Sequence, residues 1–343
     1  MSLDTLFADA PKGSMKAVRI TADHAVFVAD VPVPVAADDE VLVRPSACGI
    51  CGTDLHILHH GFPGTRYPVT PGHEFAGHVV AVGRAVKGLK EGDFVAVDPN
   101  VTCGRCRWCR AGRPNLCPEL SPIGVGRPGA AAELVAAPAR FAYKVREDLG
   151  GPLAALIEPL ACCLHAIESS QGVRDRSVLV LGGGTMGLLI AIAADLHGAG
   201  AITVADTSPA KLEIARRAGI ATVTTPAALG ETAFDVVFEA AGAPKALEQA
   251  LRLVEKTGVL VQVGVHDADR MVPFNPFEIY ERELRIIGSN SLADKFPAAV
   301  DVMTDIRDRA AVLIGESFPV WDFAGAVAAM ARGDTVKTQL AFR

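Results

Sequence analysis

No apolar run in the 343 residues reaches the roughly 20 residues that a membrane-spanning helix needs. The first fourteen residues hold no long apolar stretch of the secretory kind. These absences predict no membrane partner and a cytoplasmic location. Basic residues do not exceed acidic ones. Lys and Arg number 33 against 39 Asp and Glu, a net charge of −6, which gives no electrostatic reason to bind nucleic acid. Aromatics are sparse, at 6 % with two tryptophans, which argues against a wide aromatic pocket. Low-complexity segments and internal repeats are absent as well. What is present is a chain half apolar and about a fifth charged, long enough for about two globular domains.

Cysteine is scarce too, at eight residues, yet four of them crowd together as Cys103, Cys106, Cys109 and Cys117. The spacing is C-x2-C-x2-C-x7-C. The residues between them are turn formers and cations, among them Gly104, Arg105, Arg107, Gly112, Arg113 and Pro114, suited to a loop folded tightly around an ion. Four converging thiolates match a closed tetrahedral zinc site of the structural kind. Two disulfides would need an oxidising compartment, and four-cysteine iron–sulfur clusters use other spacings.

From Met15 to about Gly150, short strands such as Lys16–Ile20, Val41–Ala47, Phe75–Val82 and Asp93–Val97 alternate with Gly/Pro turns, as in a mostly β domain. Residues 1–14 read as a flexible extension. From Ser177 the rhythm becomes strand, helix, strand: Ser177–Leu181, Met186–Leu196, Ile202–Ala205, Pro209–Ala218, Asp235–Glu239, Pro244–Val254, Gly258–Val263 and Leu284–Gly288. Such alternation makes a doubly wound parallel sheet, an α/β architecture. After Ser289 the tail reads as largely helical and is expected to return to the first domain.

Gly182-Gly183-Gly184-Thr185-Met186-Gly187 fits G-x-G-x-x-G between a strand and a helix, the context that gives this otherwise weak motif meaning. Gly182 permits the turn, Gly184 lets the backbone approach a pyrophosphate, and Gly187 allows close helix–strand packing. The turn residues Thr185 and Met186 join the cofactor-binding candidates, as does Val263 at the end of a later strand. Asp206 ends the strand that follows, where a carboxylate accepts ribose hydroxyls and repels a 2′-phosphate, so NAD is expected over NADP. Lys211 could also reach the ribose; a solvated helix face is the alternative.

A second cluster is mixed. It comprises Cys51, Thr53, Asp54 and His56, then His73 and Glu74, and far along the chain Glu158. One thiolate, one imidazole and carboxylates from separate segments suit a catalytic zinc with an open position. Spacing alone does not assemble them.

The stretch Gly72-His73-Glu74-x2-Gly77-x5-Gly83-x2-Val86 resembles the zinc signature of the medium-chain alcohol and polyol dehydrogenases. The cysteine lobe and the nucleotide turn follow in that family's order, so the resemblance runs from Met15 to the C-terminus. It is nearest the sorbitol, arabitol and threonine dehydrogenase branch, because Glu158-Pro159-Leu160 stands where the classical alcohol enzymes carry a second catalytic cysteine. The resemblance implies a GroES-like catalytic domain over residues 15–150 and 291–343 and a Rossmann domain over 151–290, with the active site in the cleft between them. It implies Cys51 and His73 as catalytic zinc ligands. Glu74 and Glu158 are carboxylates that bind directly, through water or in exchange, and Thr53 and His56 form a proton relay. Two zinc ions, NAD, a small polyol or alcohol substrate and a homo-oligomer, a tetramer by analogy, follow from it. The segment Leu58-His59-His60-Gly61-Phe62-Pro63 resembles polyol enzymes more than the tryptophan-containing loop of threonine dehydrogenases. Threonine or a simple secondary alcohol such as butanediol is the alternative substrate.

Cys48, Cys162 and Cys163 read as packed residues, and His59, His60, His78 and His165 as residues without metal spacing. A non-catalytic zinc-ribbon module is disfavoured by the net negative charge and the nucleotide-binding half. A zinc-free reductase of the same superfamily would lack both zinc motifs.

Overall fold

A computed structural model describes residues 13–267, 269–333 and 335–342; most of the expected N-terminal extension lies outside them. The extension's last residue, Ser14, instead opens strand β1 (Ser14–Ile20), which pairs antiparallel with β2 (Val26–Pro32). The chain divides into two compact units.

The first unit runs through Glu158 and regains the chain at Ile314–Gly333 and from Lys337 onward. Its main sheet is built from β3 (Glu40–Gly49), β4 (Glu74–Val82), β5 (Phe94–Val97), β6 (Val135–Pro138), β7 (Ala142–Lys144), β14 (Ile314–Pro319) and β15 (Lys337–Ala341), in the order β14-β15-β3-β4-β5-β7 with β6 on β3. Apolar β-branched side chains carry its core: Val41, Val43, Val79, Val95 and Val97 are fully buried. Helix α1 (Gly52–His59) packs Ile57 and Leu58 into the same core.

The second unit is Pro159–Leu313 with the residues just before Lys337. Its six strands are β8 (Ser177–Leu181), β9 (Ala201–Ala205), β10 (Thr222–Thr224), β11 (Phe234–Glu239), β12 (Val254–Gln262) and β13 (Arg285–Gly288). They lie in the order β10-β9-β8-β11-β12-β13, every pair parallel. That order reverses the direction in which strands are added between β8 and β11, the kind of switch point where open α/β sheets bind ligands beyond the strand C-termini. Val178, Leu179 and Val180 of β8 are fully buried, as expected of a strand covered on both faces. Helix α3 (Thr185–Leu196) buries every residue from Gly187 to Ala194, so truncating Leu189 to Ala is expected to cost about 2–5 kcal/mol. The other helices used below are α2 (Ile157–Ser169), α4 (Pro209–Arg217), α5 (Pro244–Arg252), α6 (Pro276–Glu281), α7 (Phe296–Ala311) and α8 (Phe323–Arg332).

The boundaries differ from the sequence reading. Residues 151–158 stay with the first unit, and the chain returns to it at Ile314 rather than at 291. The cause is α7, whose Phe296, Ala299, Met303 and Ile306 are buried and which packs on α3. Nor is the tail only helical: β14 and β15 are strands. Strand β15 escapes a pattern reading because it buries polar residues, Lys337, Thr338 and Gln339, at 2 % exposure or less. Val254, expected to end a helix, opens β12, and Val263 lies just past that strand.

Candidate metal and dinucleotide sites

The four-cysteine lobe is a local construction. Cys106 caps the short helix Arg107–Arg110, accepting the Cys109 N–H on its sulfur. Gly104 and Gly112 take positive φ (+71° and +70°) at the turns. The N–H groups of Arg105 and Cys106 point at the Cys103 sulfur, at 3.5 and 3.4 Å. The Cys109 N–H holds the Cys106 thiol down to about 7. The Sγ–Sγ separations are 3.5 Å for Cys106–Cys109 and 3.6 Å for Cys103–Cys117, far beyond a disulfide bond. Four ligands at a Zn–S distance of about 2.3 Å stand roughly 3.8 Å apart in a tetrahedron, and all four sulfurs lie within 4.8 Å of one another. This donor set fits a zinc ion.

The mixed site is assembled from separate segments. Cys51 is the N-cap of α1; its N–H donates to Asp54 Oδ2 at 2.9 Å. Its sulfur lies 3.8 Å from Thr53 Oγ1. His73 and Glu74 lead into β4 behind Gly72. There φ is +97°, and a Cβ would sit 2.9 Å from Cys48 Sγ and 3.0 Å from Ala131 N, so only glycine fits. Ligand atoms of Cys51, His73 and Glu74 converge within 4.8 Å. Glu158, in the first turn of α2, is outside that trio but buried. Burial pushes its carboxyl up to about 8, with His73 pulling it down and Glu74 and Cys51 pushing it further up. Burial likewise pushes the Cys51 thiol up to about 12. Anionic donors held this far towards protonation are what a divalent cation would restore to their charged forms. His73 Nδ1 is buried without a hydrogen-bond partner and faces Asp54 Oδ1 at 4.0 Å. That is the arrangement in which a carboxylate orients a metal-bound imidazole. The site fits zinc with an open position. His56 sits in the last turn of α1, its ring 6.1 Å from that of His60 and 6.4 Å from Phe62.

The sequence reading missed Lys337. It is 2 % exposed, forms an ion pair with the equally buried Glu74, and donates from Nζ to Ile50 O at 2.9 Å. Burial lowers its pKa, but the Glu74 carboxylate and Cys51 thiolate outweigh that and raise it overall. The one signal in the sequence was Gly49, where a Cβ would lie 2.0 Å from Glu74 Oε2 and 2.6 Å from Lys337 Cε.

In the second unit the glycine motif takes the expected turn. Gly182 has φ +109°, and a Cβ there would meet Ala241 N at 2.8 Å. A Cβ on Gly187 would come within 1.8 Å of Gly182 O, while Gly184 faces open space at the N-cap of α3. Asp206 directly follows β9, its Oδ2 accepting the Gly183 N–H (2.6 Å) and its Oδ1 the Ser208 N–H (2.7 Å). Lys211 lies in the first turn of α4, its Cβ 3.4 Å from where a Gly183 Cβ would stand. Val263 N–H donates to Glu239 O at 2.8 Å, next to the ends of β11 and β12. Two motif residues are engaged internally: Thr185 Oγ1 donates to Val336 O (2.6 Å), and Met186 O accepts the Cys163 thiol (3.4 Å). Glu239, fully buried, accepts the N–H groups of Ala241 and Gly242 at 2.9 and 2.8 Å and so holds the loop on which Gly182 packs. Gly182, Asp206 and Val263 therefore lie at C-terminal strand ends of one parallel sheet.

Residues 37–147 match the alcohol dehydrogenase GroES-like domain, and residues 185–305 match the zinc-binding dehydrogenase domain. A D-altritol 5-dehydrogenase of Agrobacterium fabrum is 34 % identical over 313 residues, covering 89 % of this chain and 93 % of that one. An L-threonine 3-dehydrogenase of Escherichia coli is 35 % identical over 272 residues, covering 75 % and 80 %. A crystal structure described as a zinc-binding dehydrogenase of Sinorhizobium meliloti, bound to NADP, superposes with a TM-score of 0.91. Its identity is 35 %, over 96 % of this chain and all of that one.

Proposed function

The chain belongs to the zinc-dependent medium-chain alcohol dehydrogenases, and from that premise we propose that it oxidises a polyol or sugar-like secondary alcohol with NAD as hydride acceptor. The observation that carries this reading is the convergence of Cys51, His73 and Glu74 with Glu158 close by, where a thiol-rich site would have been softer. A carboxylate in place of a second thiolate makes the site harder and more polar, suited to oxygen-rich ligands. D-altritol is the substrate that one relative's name carries, and threonine another's.

Cys51, His73 and one of the carboxylates Glu74 and Glu158, the other binding through water or in exchange, would hold the catalytic zinc, and Cys103, Cys106, Cys109 and Cys117 the structural one. Held there, zinc would supply Lewis-acid chemistry that lowers the pKa of an alcohol hydroxyl towards neutrality. Thr53, beside Cys51, would take the hydroxyl proton as it gives up its own to the cofactor ribose, and His56, one turn along α1, would accept the proton from there and pass it to solvent. Gly184 would let the backbone approach the pyrophosphate at the N-terminus of α3, with Gly182 shaping the turn and Gly187 the close packing behind it. The pinned carboxylate of Asp206 accepts the adenosine ribose hydroxyls, with Lys211 beside them. Asp206→Gly should narrow the NAD-to-NADP ratio of kcat/KM by at least about tenfold, or 1.4 kcal/mol; an unchanged ratio would assign cofactor choice to another group.

Among the described residues no single helix is long and apolar enough to cross a membrane. None of the eight cysteines is joined to another by a disulfide, which suits a reducing cytoplasm. A homo-oligomer, a tetramer in our reading, is supported by β13 at the sheet edge, beside exposed Ile286, Tyr280 and Phe277. Sedimentation velocity tests it. Comparing kcat/KM for sorbitol, arabitol, galactitol, 2,3-butanediol and threonine against ethanol tests the substrate class. A primary alcohol preferred by about tenfold would overturn the polyol reading.

A further inference from the structure

Taken singly, His59 and His60 carry no metal spacing. Helix α1 supplies one. His60 follows His56 by four residues, so the two imidazoles leave one helix face a turn apart. The backbone fixes that register: the His60 N–H donates to His56 O at 2.9 Å and closes the last turn. The ring centres stand 6.1 Å apart, with the planes inclined at 57°. The ring of His59 is 6.1 Å from that of His60 as well. His59 and His60 are exposed and His56 is half-buried.

Two imidazoles at positions i and i+4 of a helix form a chelating pair, the spacing by which a helix offers two histidines to one zinc. A metal about 2.1 Å from one nitrogen of each ring would hold the ring centres about 5 Å apart. The pair therefore has to close by about 1 Å, an adjustment that surface side chains make within nanoseconds. Imidazole suits zinc, nickel and copper, and carboxylate-rich sites suit magnesium and calcium. Neither the four-cysteine lobe nor the Cys51, His73 and Glu74 trio uses these histidines.

We propose that His56 and His60 form a third metal site, an inhibitory one, for a divalent cation that favours imidazole. Binding needs nothing from the reaction proposed above; its consequence rests on that reading, in which His56 accepts a proton bound for solvent. A neutral imidazole has one ring lone pair. A metal that takes it leaves His56 with no base for the proton, so excess metal slows turnover without displacing the catalytic zinc.

The test uses the zinc-loaded full chain and Ni2+ as the probe. Calorimetric titration should find Ni2+ bound at the pair, with the zinc content unchanged by elemental analysis. His60→Ala should weaken that binding by at least about tenfold, or 1.4 kcal/mol, and His56→Ala should do the same. His59→Ala, which leaves the i and i+4 pair intact, should bind as the natural chain does. In turnover, His60→Ala should match the natural rate without Ni2+, and the Ni2+ concentration that halves kcat should rise at least about tenfold. Ni2+ binding that His60→Ala leaves unchanged, or that His59→Ala weakens equally, overturns the site. Ni2+ that binds at the pair and leaves kcat unchanged overturns the inhibition and the relay role of His56, while the metal site stands. A zinc-loaded chain that oxidises no alcohol overturns the proposed function instead, and calorimetry still decides the site.

Discussion

The two candidate metal sites of this chain solve opposite problems. The four-cysteine lobe draws its donors from one short loop, leaves three of the four half-exposed, and meets thiolate charge with backbone N–H groups from its own turns. The mixed site draws its donors from α1, the approach to β4 and the start of α2, buries His73, Glu74 and Glu158, and imports a counter-charge from β15. A closed site needs only a loop that folds on itself. The mixed set must bring unlike donors together in a dry place, and only tertiary structure does that.

The sharpest way to break this contrast is to remove one sulfur from each. Cys51→Ala should lower turnover by at least about a thousandfold, since a Lewis acid contributes several kcal/mol. The protein should stay folded, keep NAD binding by fluorescence titration, and retain the structural zinc. Wild-type turnover in that variant would put the chemistry elsewhere. Cys109→Ser should act in the other direction, on stability first. Structural zinc contributes up to ~10 kcal/mol or more in small zinc domains, and a lobe supported by a larger core should lose part of that. Expected are one zinc fewer by elemental analysis, a lower Tm and rapid proteolysis within residues 103–117, with turnover per folded molecule changed less. Equal loss of Tm from both variants would erase the distinction between the sites.

That same contrast explains what was legible in the sequence. The lobe and the glycine motif were readable because spacing alone brings their residues together, and the parallel sheet was readable because buried strands such as β8 are continuous apolar runs. Cys51, His73, Glu74 and Glu158 could be named as a mixed donor set, but only the family resemblance joined them into one expected site, since no periodicity links segments so far apart. Lys337 was not found at all. It belongs to a strand whose buried residues are polar, each satisfied by a partner distant in sequence: Lys337 by Glu74, and Gln339 by Pro152 O at 2.8 Å. Polarity reads as exposure until those partners are known. Helix α7 was assigned to the wrong unit for a related reason, because its apolar face does not say which core it fills.

The smallest effect, and the one that separates the sites by sign, is the pH dependence of the zinc-stripped chain. Glu158 has its folded pKa raised, by burial first, from 4.5 to about 8. Its contribution to stability is therefore fully present below about 4.5 and lost as pH rises through about 8, because the folded state binds the extra proton. Cys106 is displaced the other way, from 9.0 to about 7, chiefly by the Cys109 N–H. Its contribution is present above about 9 and lost as pH falls through about 7, and its partial exposure to solvent keeps it the weaker of the two. Asp98, raised by burial from 3.8 to about 7, belongs to neither metal site, falls with pH as Glu158 does, and serves as the zinc-independent control. Thermal melts of stripped protein from pH 4.5 to 9 should show Tm falling to about 8. Glu158→Gln should flatten the zinc-sensitive part of that fall, and Asp98→Asn the part that persists after zinc is restored. Zinc should oppose the Glu158 share, because its ligands bind deprotonated and its affinity rises with pH. A stripped chain whose Tm does not fall with pH over that range, or a Glu158→Gln variant that melts with the natural profile, would show that the buried carboxylate does not carry the charge cost that makes the mixed site need its metal.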